Sequence, residues 1–324
     1  MSRVRRPGRT VSYAAAVAVL SLTAGGCVTV HGEREVVRTA TGPEAARALK
    51  DFLTAYNRAD KAYDPALDAS RVTGPLGAIN QAGLKARHAQ NPDGNSRHVP
   101  LKLTDVSYAI PKKAGWPRWF VVDALANRKP DDYRWLIVFT RADADAGWEA
   151  TYLNLVHPDR LPELKRDADG HVEPVAVDRG GFAVAPRRLS GAYADYLKSG
   201  GDTFAPGPHT SQWKAARDRN KKRLGLAVQY LDQPRNEGSF APLGLRTKDG
   251  DALVFFTTHH YEKQTASKGL NVTVQPDVKP LIRGEAKQSI TLERISNQVA
   301  LTPKGSGKAS VLSRMQGLVG AKGE

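Results

Sequence analysis

The sequence predicts an α+β protein of two modules, each with helices followed by a bent antiparallel sheet. Up to about residue 88, apolar residues recur at the spacing of an amphipathic helix. Beyond residue 100 they alternate with a period of two, which is typical of half-buried strands. The same order of elements returns after residue 185, and this indicates a diverged tandem repeat. Helices followed by antiparallel strands form an α+β layer arrangement.

The first module is predicted to cover residues 43–185, including a linker at its end. Thr41 and Glu44 have the spacing of a capping box, with Pro43 in the first turn, so a helix should begin there and run to near Asp60. A second helix is predicted over 76–88. The turn-rich loop before the fourth strand should make the last two strands a hairpin. Strands are predicted at 101–110, 119–126, 133–141 and 147–156.

The second module is predicted to cover residues 186–324, after a stretch rich in proline, glycine and charge. Helices are expected at 190–197 and 211–224, the second ended by Gly225. Strands are expected at 226–231, 241–247, 252–262, 270–275 and 288–302. The last apolar segment, 311–320, fits a helix by its spacing and a strand by analogy with the first module; the strand is preferred.

The N-terminus has the pattern of an export signal. Four arginines without an acid precede an apolar run of about fourteen residues, shorter than the roughly twenty that cross a bilayer. Ala24, Gly25, Gly26 and Cys27 follow, and this junction resembles a bacterial lipobox. Ala24 stands where that pattern usually has leucine, so an ordinary secretory cleavage at the same bond is the alternative. Cys27 is the only cysteine, and a disulfide-stabilised exported domain would show several.

This junction, together with the enrichment in alanine, arginine, glycine and proline, resembles the uncharacterised exported lipoproteins of actinobacteria. The resemblance implies that residues 1–26 are removed and that Cys27 carries a diacylglycerol. Two acyl chains anchor a protein durably, whereas one chain holds it only marginally. Residues 27–42 would then be a lipidated tether, and the protein would lie on the outer face of the cytoplasmic membrane.

The positive charge is concentrated in the second half. Residues 27–185 carry 22 basic and 21 acidic side chains, and residues 186–324 carry 22 and 12. Anionic lipids or phosphate-rich wall polymers would suit this surface, whereas an exported location argues against nucleic acid. A solvated, solubilising face is the alternative, since cations also suit the end of a helix. The densest basic segment supplies the candidate contacts Lys214, Arg217, Lys221, Lys222 and Arg223.

Residues 52–60, on a long first helix before a bent sheet, resemble the NTF2-like fold, a cone-shaped architecture related to the cystatin-like one. That resemblance covers about residues 43–157 and implies a pocket between the helix and the sheet. Its candidate lining residues are Tyr56, Asp123, Trp135 and Trp148. The alternative is that these aromatic side chains belong to an ordinary core.

No catalytic, cofactor or metal site is predicted. Ser211 and Lys214 match the Ser-x-x-Lys pattern of penicillin-binding proteins, but the accompanying motifs are missing or misplaced. His259 and His260 are adjacent on a predicted strand and should point to opposite faces. The sequence therefore favours a non-enzymatic binding or scaffold lipoprotein of the cell envelope. The alternative is an envelope enzyme or small-ligand carrier that uses an NTF2-like pocket.

Overall fold

The computed structural model describes residues 35–324, which belong to one compact unit. Cys27, the predicted signal and most of the predicted tether lie outside the described residues. Within the described part of the chain, no helix is both long and apolar enough to cross a membrane.

The first two helices agree with the prediction and are slightly longer than expected. Helix α1 (Gly42–Ala62) begins at the predicted capping box: Thr41 Oγ1 accepts from the Glu44 backbone N–H at 3.2 Å, and Glu44 Oε2 accepts from the Thr41 N–H at 3.3 Å. Helix α2 is Gly74–Gln90. Before α1, the short strand β1 (Val37–Arg38) pairs with β3 (Lys112–Lys113).

The four predicted strands of the first half form one antiparallel sheet. Their order in space is the order in the chain, and the last two are the predicted hairpin. The strands are β2 (Leu103–Ala109), β4 (Arg118–Ala126), β5 (Arg134–Arg141) and β6 (Glu149–Val156).

The second half forms an eight-stranded sheet around a long central strand, β11 (Ala252–Ala266). The start of β11 pairs with β10 (Leu243–Arg246), and the rest of the same edge pairs with β9 (Leu226–Arg235). The other edge of β11 pairs with β13 (Ser289–Thr302). All neighbours are antiparallel except β12 and β14. The strands are β7 (Pro174–Val175), β8 (Lys222–Arg223), β9 (Leu226–Arg235), β10 (Leu243–Arg246), β11 (Ala252–Ala266), β12 (Ile282–Arg283), β13 (Ser289–Thr302) and β14 (Ser310–Gly323). The last apolar segment, 311–320, therefore forms a strand, as the sequence analysis preferred.

Two predicted elements of the second half are wrong. Helix α3 (Leu189–Ser199) forms as expected, but α4 (Ser211–Asn220) ends before residue 224. The chain instead reverses at Gly225, whose φ of +74° suits glycine, and β8 pairs with β9. The predicted strand at 270–275 does not form: the Leu270 N–H donates to Ser267 O within an irregular loop, and the Val272 N–H donates to Lys287 O in a second irregular segment.

The two sheets pack face to face. Helix α1 lies on the outer face of the four-stranded sheet and α3 on that of the eight-stranded sheet, whereas α2 contacts strands of both sheets, namely β6, β13 and β14. One face of the four-stranded sheet packs against α1, where Phe52 of the helix meets Phe120 and Phe139 of the sheet. The other face meets the eight-stranded sheet, where the Tyr152 and Phe255 ring centroids are 6.0 Å apart. This second core joins residues from both sides of residue 185. The α+β class is therefore confirmed, whereas the tandem repeat is not, because the two sheets differ in strand number and order.

Candidate functional site

The predicted pocket residues of the first half lie at or next to a packed core. Phe120 stacks on Phe139, with ring centroids 5.0 Å apart, and meets Trp148 edge to face at 4.8 Å. Tyr56 packs against the same core, and burial is the main cause that raises its pKa. These rings are packed against one another and against the core beneath α1.

The remaining two candidates are separated by the strand alternation. Trp135 belongs to the core beneath α1. Asp123 is part-exposed, and its carboxylate accepts from Arg134 Nε at 2.6 Å. The four candidate residues therefore do not converge on an open cavity.

The predicted anionic-surface residues are also divided by the structure. Lys214 and Lys221 both pair with Asp218, at 2.8 and 2.6 Å, and their hydrogen bonds lower its pKa to about 2. Lys222 belongs to β8, and Arg223 is exposed. Arg217 is only 5% exposed, so it is not available as a surface contact.

Arg217 belongs instead to a buried chain of polar side chains across β9, β11 and β13. Its NH2 group donates to both carboxylate oxygens of Asp232, at 2.8 and 3.1 Å. The other side of Asp232 meets His260 Nδ1 at 2.6 Å, and His260 Nε2 lies 2.5 Å from Ser296 Oγ. The amide of Gln298 lies 2.6 Å from the same hydroxyl oxygen.

The protonation of this chain follows from burial and charge. Burial opposes ionisation of Asp232, but the hydrogen bond and charge of His260, together with Arg217, outweigh it and lower the pKa of Asp232. Burial lowers the pKa of His260, and its bond to Asp232 reverses this only in part. The imidazole is therefore neutral near pH 7, and its Nδ1 donates to the ionised Asp232 carboxylate while its Nε2 contacts the Ser296 hydroxyl.

Ser296, His260 and Asp232 are connected in the order of a Ser-His-Asp triad. However, His260 faces the cavity and Ser296 lies on the buried side of His260. A nucleophilic serine must face the substrate, with the histidine beside it. Here Ser296 is fully buried, and a cavity of about 280 Å³ reaches His260 without reaching Ser296. This arrangement holds Asp232 and Arg217 in place and does not expose a nucleophile.

The cavity lies between α4 and the sheet and contains unpaired hydrogen-bond donors. Trp213, Arg217, Tyr230 and His260 line it. The Arg217 guanidinium lies over the Tyr230 ring, 4.3 Å from its centroid. Arg314 lies over the Trp213 ring at 3.9 Å, and burial is the main cause that lowers its pKa.

Three buried donors in or beside this lining have no hydrogen-bond partner among the described residues. Arg217 NH1 and Trp213 Nε1 belong to lining residues, and Arg314 Nε belongs to the arginine that lies over the Trp213 ring. Leaving a buried donor unpaired costs about 1–3 kcal/mol. Two of the three belong to cations, Arg217 and Arg314. Asp232 neutralises one of these, and the other charged pair of the lining, Arg294 with Glu262, is neutral overall. The site is therefore suited to an acceptor that carries negative charge.

A separate cluster of Asp167, Asp169 and His171 could in principle hold a cation, but a lysine occupies it. Lys112 Nζ lies 2.8 Å from Asp167 and 2.7 Å from Asp169. The bond from Lys112 is the main cause that lowers the pKa of Asp167 to about 2. The cluster is thus a turn closed by a lysine.

The buried histidines predict that acid destabilises the protein. Burial lowers the pKa of His259 and His260, and that of His209 to about 4. The unfolded chain, with histidine near pKa 6.5, then binds protons first, so stability is lost as pH falls from about 6.5. The free energy of unfolding in urea should fall between about pH 7 and pH 5. His209→Gln should reduce this slope, and an unchanged slope would contradict the assignment.

The fold and the site define a class: a two-sheet α+β protein with a cavity lined in part by Arg217 and Arg294. The chain belongs to the family described as "Domain of unknown function (DUF8094)", whose model matches residues 36–323. It is 55% identical to an uncharacterized lipoprotein of Streptomyces avermitilis, over 99% of this chain and 97% of that protein. An uncharacterized lipoprotein of Streptomyces coelicolor is also 55% identical, over 99% of this chain and 98% of that protein.

These relatives confirm the resemblance to uncharacterised actinobacterial lipoproteins that the N-terminal residues predicted. No solved structure matches the chain. The NTF2-like resemblance of the first half is not confirmed.

Asp232, Ser296 and the role of His260 were not predicted from the sequence. The predicted separation of His259 from His260 by strand alternation is confirmed, since only His260 reaches Asp232. The available signal was a carboxylate inside an otherwise apolar strand, LAVQYLD, close in sequence to a predicted strand containing histidine. Polar residues at such positions need buried partners.

Proposed function

We propose that this chain is a lipid-anchored lipoprotein of the cell envelope, on the outer face of the cytoplasmic membrane, that binds a small anionic group. The names of its full-length relatives and the lipobox-like junction at Cys27 support the anchor. A diacylglycerol on Cys27 would hold the body durably at the membrane.

The observation that carries the binding function is a set of three unpaired donors, two on residues that line one cavity and one on Arg314 beside it. Arg217 is nine-tenths buried and lines this cavity, and its NH1 group is one of the three. An anion accepting from these groups would satisfy donors that are otherwise costly to bury. Carboxylate and phosphate groups have this chemistry, which anionic lipids and wall polymers share.

Binding at this cavity is better supported than attraction to a basic surface. Lys214 and Lys221, which the sequence placed on that surface, are both paired with Asp218. Exposed charges are also screened by salt beyond about 10 Å, whereas buried ones are screened much less. Binding is likewise better supported than hydrolysis, because Ser296 lies behind His260.

Calorimetric titration with inorganic phosphate and with acetate tests this function. The probe protein is the full chain carrying Cys27→Ser, which cannot be acylated at residue 27. Trp213→Phe removes one N–H donor and keeps an aromatic ring, and it should weaken binding about tenfold. Arg314→Gln removes a charged donor and should weaken binding about tenfold to a hundredfold.

The matched control is Lys214→Gln, which neutralises a cation adjacent to Trp213 on α4 but paired with Asp218. It should leave both affinities unchanged. Equal weakening by Lys214→Gln and Trp213→Phe would show attraction to general surface charge and reject the site. Failure of both anions to bind would also reject it.

A further inference from the structure

A second cavity, of about 390 Å³, lies farther along the same face of the eight-stranded sheet. It is enclosed by the β8–β9 hairpin, the loop at 267–281 and the ends of β11 and β13. Its lining combines apolar side chains with polar ones such as Arg223, Gln264 and Asn271. The apolar lining residues include Leu226, Leu270, Val272, Val278, Ile290 and Leu292.

The two cavities follow one another along β11. Side chains two residues apart on a strand share a face and are about 7 Å apart, so His260, Glu262 and Gln264 lie in one row. His260 and Glu262 line the first cavity, and Gln264 lines the second. On β13, Arg294 lines the first cavity and Leu292 the second.

A ring of polar side chains marks the junction. Arg294 NH1 donates to Glu262 Oε2 at 2.9 Å, and Gln264 Nε2 donates to Glu262 Oε1 at 2.7 Å. The far rim of the second cavity is apolar: Leu224 is fully exposed and Leu270 is 52% exposed. Buried arginine side chains therefore lie at one end of this face of the sheet, and exposed leucine side chains lie at the other end.

We propose that the two cavities form one groove that binds a single-chain anionic amphiphile. The acidic head lies at Arg217, Trp213 and Arg314, and the acyl chain passes the Glu262–Arg294 pair to lie against Leu292 and Ile290. This inference rests on the proposed function for the head-group end and adds the ligand class. The volumes suit a small ligand, since binding cavities are commonly about 300–1,000 Å³. Charge and apolarity are thus matched to opposite ends of one molecule.

Titration with three probes tests the inference on the Cys27→Ser chain, without added detergent. Butanoate carries the head alone, dodecanoate adds the chain, and dodecyl maltoside has the chain without the charge. Each buried methylene strengthens binding by about fourfold, so dodecanoate should bind at least a hundredfold more tightly than butanoate. Dodecyl maltoside should bind far more weakly than dodecanoate.

Two substitutions separate the ends of the groove. Gln264→Phe places a ring at the junction and should remove the advantage of dodecanoate while leaving butanoate affinity unchanged. Trp213→Phe should weaken both carboxylates by the same factor. Leu270→Lys, at the exposed rim, provides a second test of the chain end if Gln264→Phe does not fold. Thermal unfolding checks that each variant is folded.

The outcomes distinguish this inference from the proposed function. Equal affinity for butanoate and dodecanoate would overturn the groove and leave the anion site intact. Tight dodecanoate binding that Trp213→Phe does not change would overturn the head-group assignment. Failure of butanoate, phosphate and acetate alike to bind would contradict the proposed function itself.

Discussion

Replacing Asp232 by alanine will lower the free energy of unfolding by about 3–5 kcal/mol, because it leaves a buried cation without its counter-ion. Asp232 accepts from Arg217 through both oxygens and from His260 through one. Without the carboxylate, Arg217 would retain its contact with the Tyr230 ring but no hydrogen-bond partner among the described residues. Urea unfolding followed by circular dichroism measures the change.

The control for this prediction is Asp218→Ala, which removes a carboxylate that is also bonded to two cations, Lys214 and Lys221. That pair of contacts is on the surface of α4, so the loss should be about 0–1 kcal/mol. The double variant Arg217→Met with Asp232→Leu should recover part of the loss, since it removes both charges together. A loss below about 1 kcal/mol for Asp232→Ala would contradict the importance of the buried pair.

Replacing Phe255 by alanine is the second large effect and tests how the two halves are joined. Phe255 is fully buried between the two sheets and contacts Tyr152 across that interface. Truncation of a buried phenylalanine costs about 3–5 kcal/mol through lost burial and the cavity left behind. The whole chain should still unfold in one transition, because both sheets share this core.

Tryptophan fluorescence is a selective readout here, since four of the five tryptophans precede residue 185. Phe255→Ala lies in the second half, yet the fluorescence transition should shift with the circular dichroism signal. Leu231→Ala, at an exposed position of β9, serves as control and should change stability by less than about 0.5 kcal/mol. A fluorescence transition that stays in place would show two independent modules divided near residue 185.

Local physical signals explain why the first half was predicted well. The capping box at Thr41 fixes where α1 begins, and strand alternation in β5 assigns side chains to faces. Trp135 and Ile137 contact the helices, while Leu136 and Val138 face the other sheet. These features depend on neighbours within a few residues, which a single sequence displays directly.

Non-local pairing explains why the architecture of the second half was not predicted. One edge of β11 pairs with both β9 and β10, and nothing in the residue pattern of β11 predicts that this edge has two partners. The alternating residues at 270–275 resemble a strand, but the loop uses their backbone groups elsewhere. The hairpin at Gly225 likewise replaced the last turn predicted for α4.

The candidate site was inaccessible to sequence analysis for the same reason. Asp232, His260 and Ser296 lie on three strands and meet only after the sheet has formed. Arg217 was recognised as a basic residue, but its burial depends on how α4 packs against that sheet. Composition indicated positive charge in the second half, and only the packed structure separates its surface lysines from its buried arginines.

The outer edge of strand β9 bears on whether neighbouring copies of the protein can pair with one another. Beyond its short pairing with β8, its outer edge has no strand neighbour among the described residues, and such an edge invites another chain. Pro234 offers no N–H to an incoming strand, and the inward carboxylate of Asp232 disfavours a slipped alignment. In the lipid-anchored arrangement proposed above, these two residues disfavour edge-to-edge pairing between neighbouring copies.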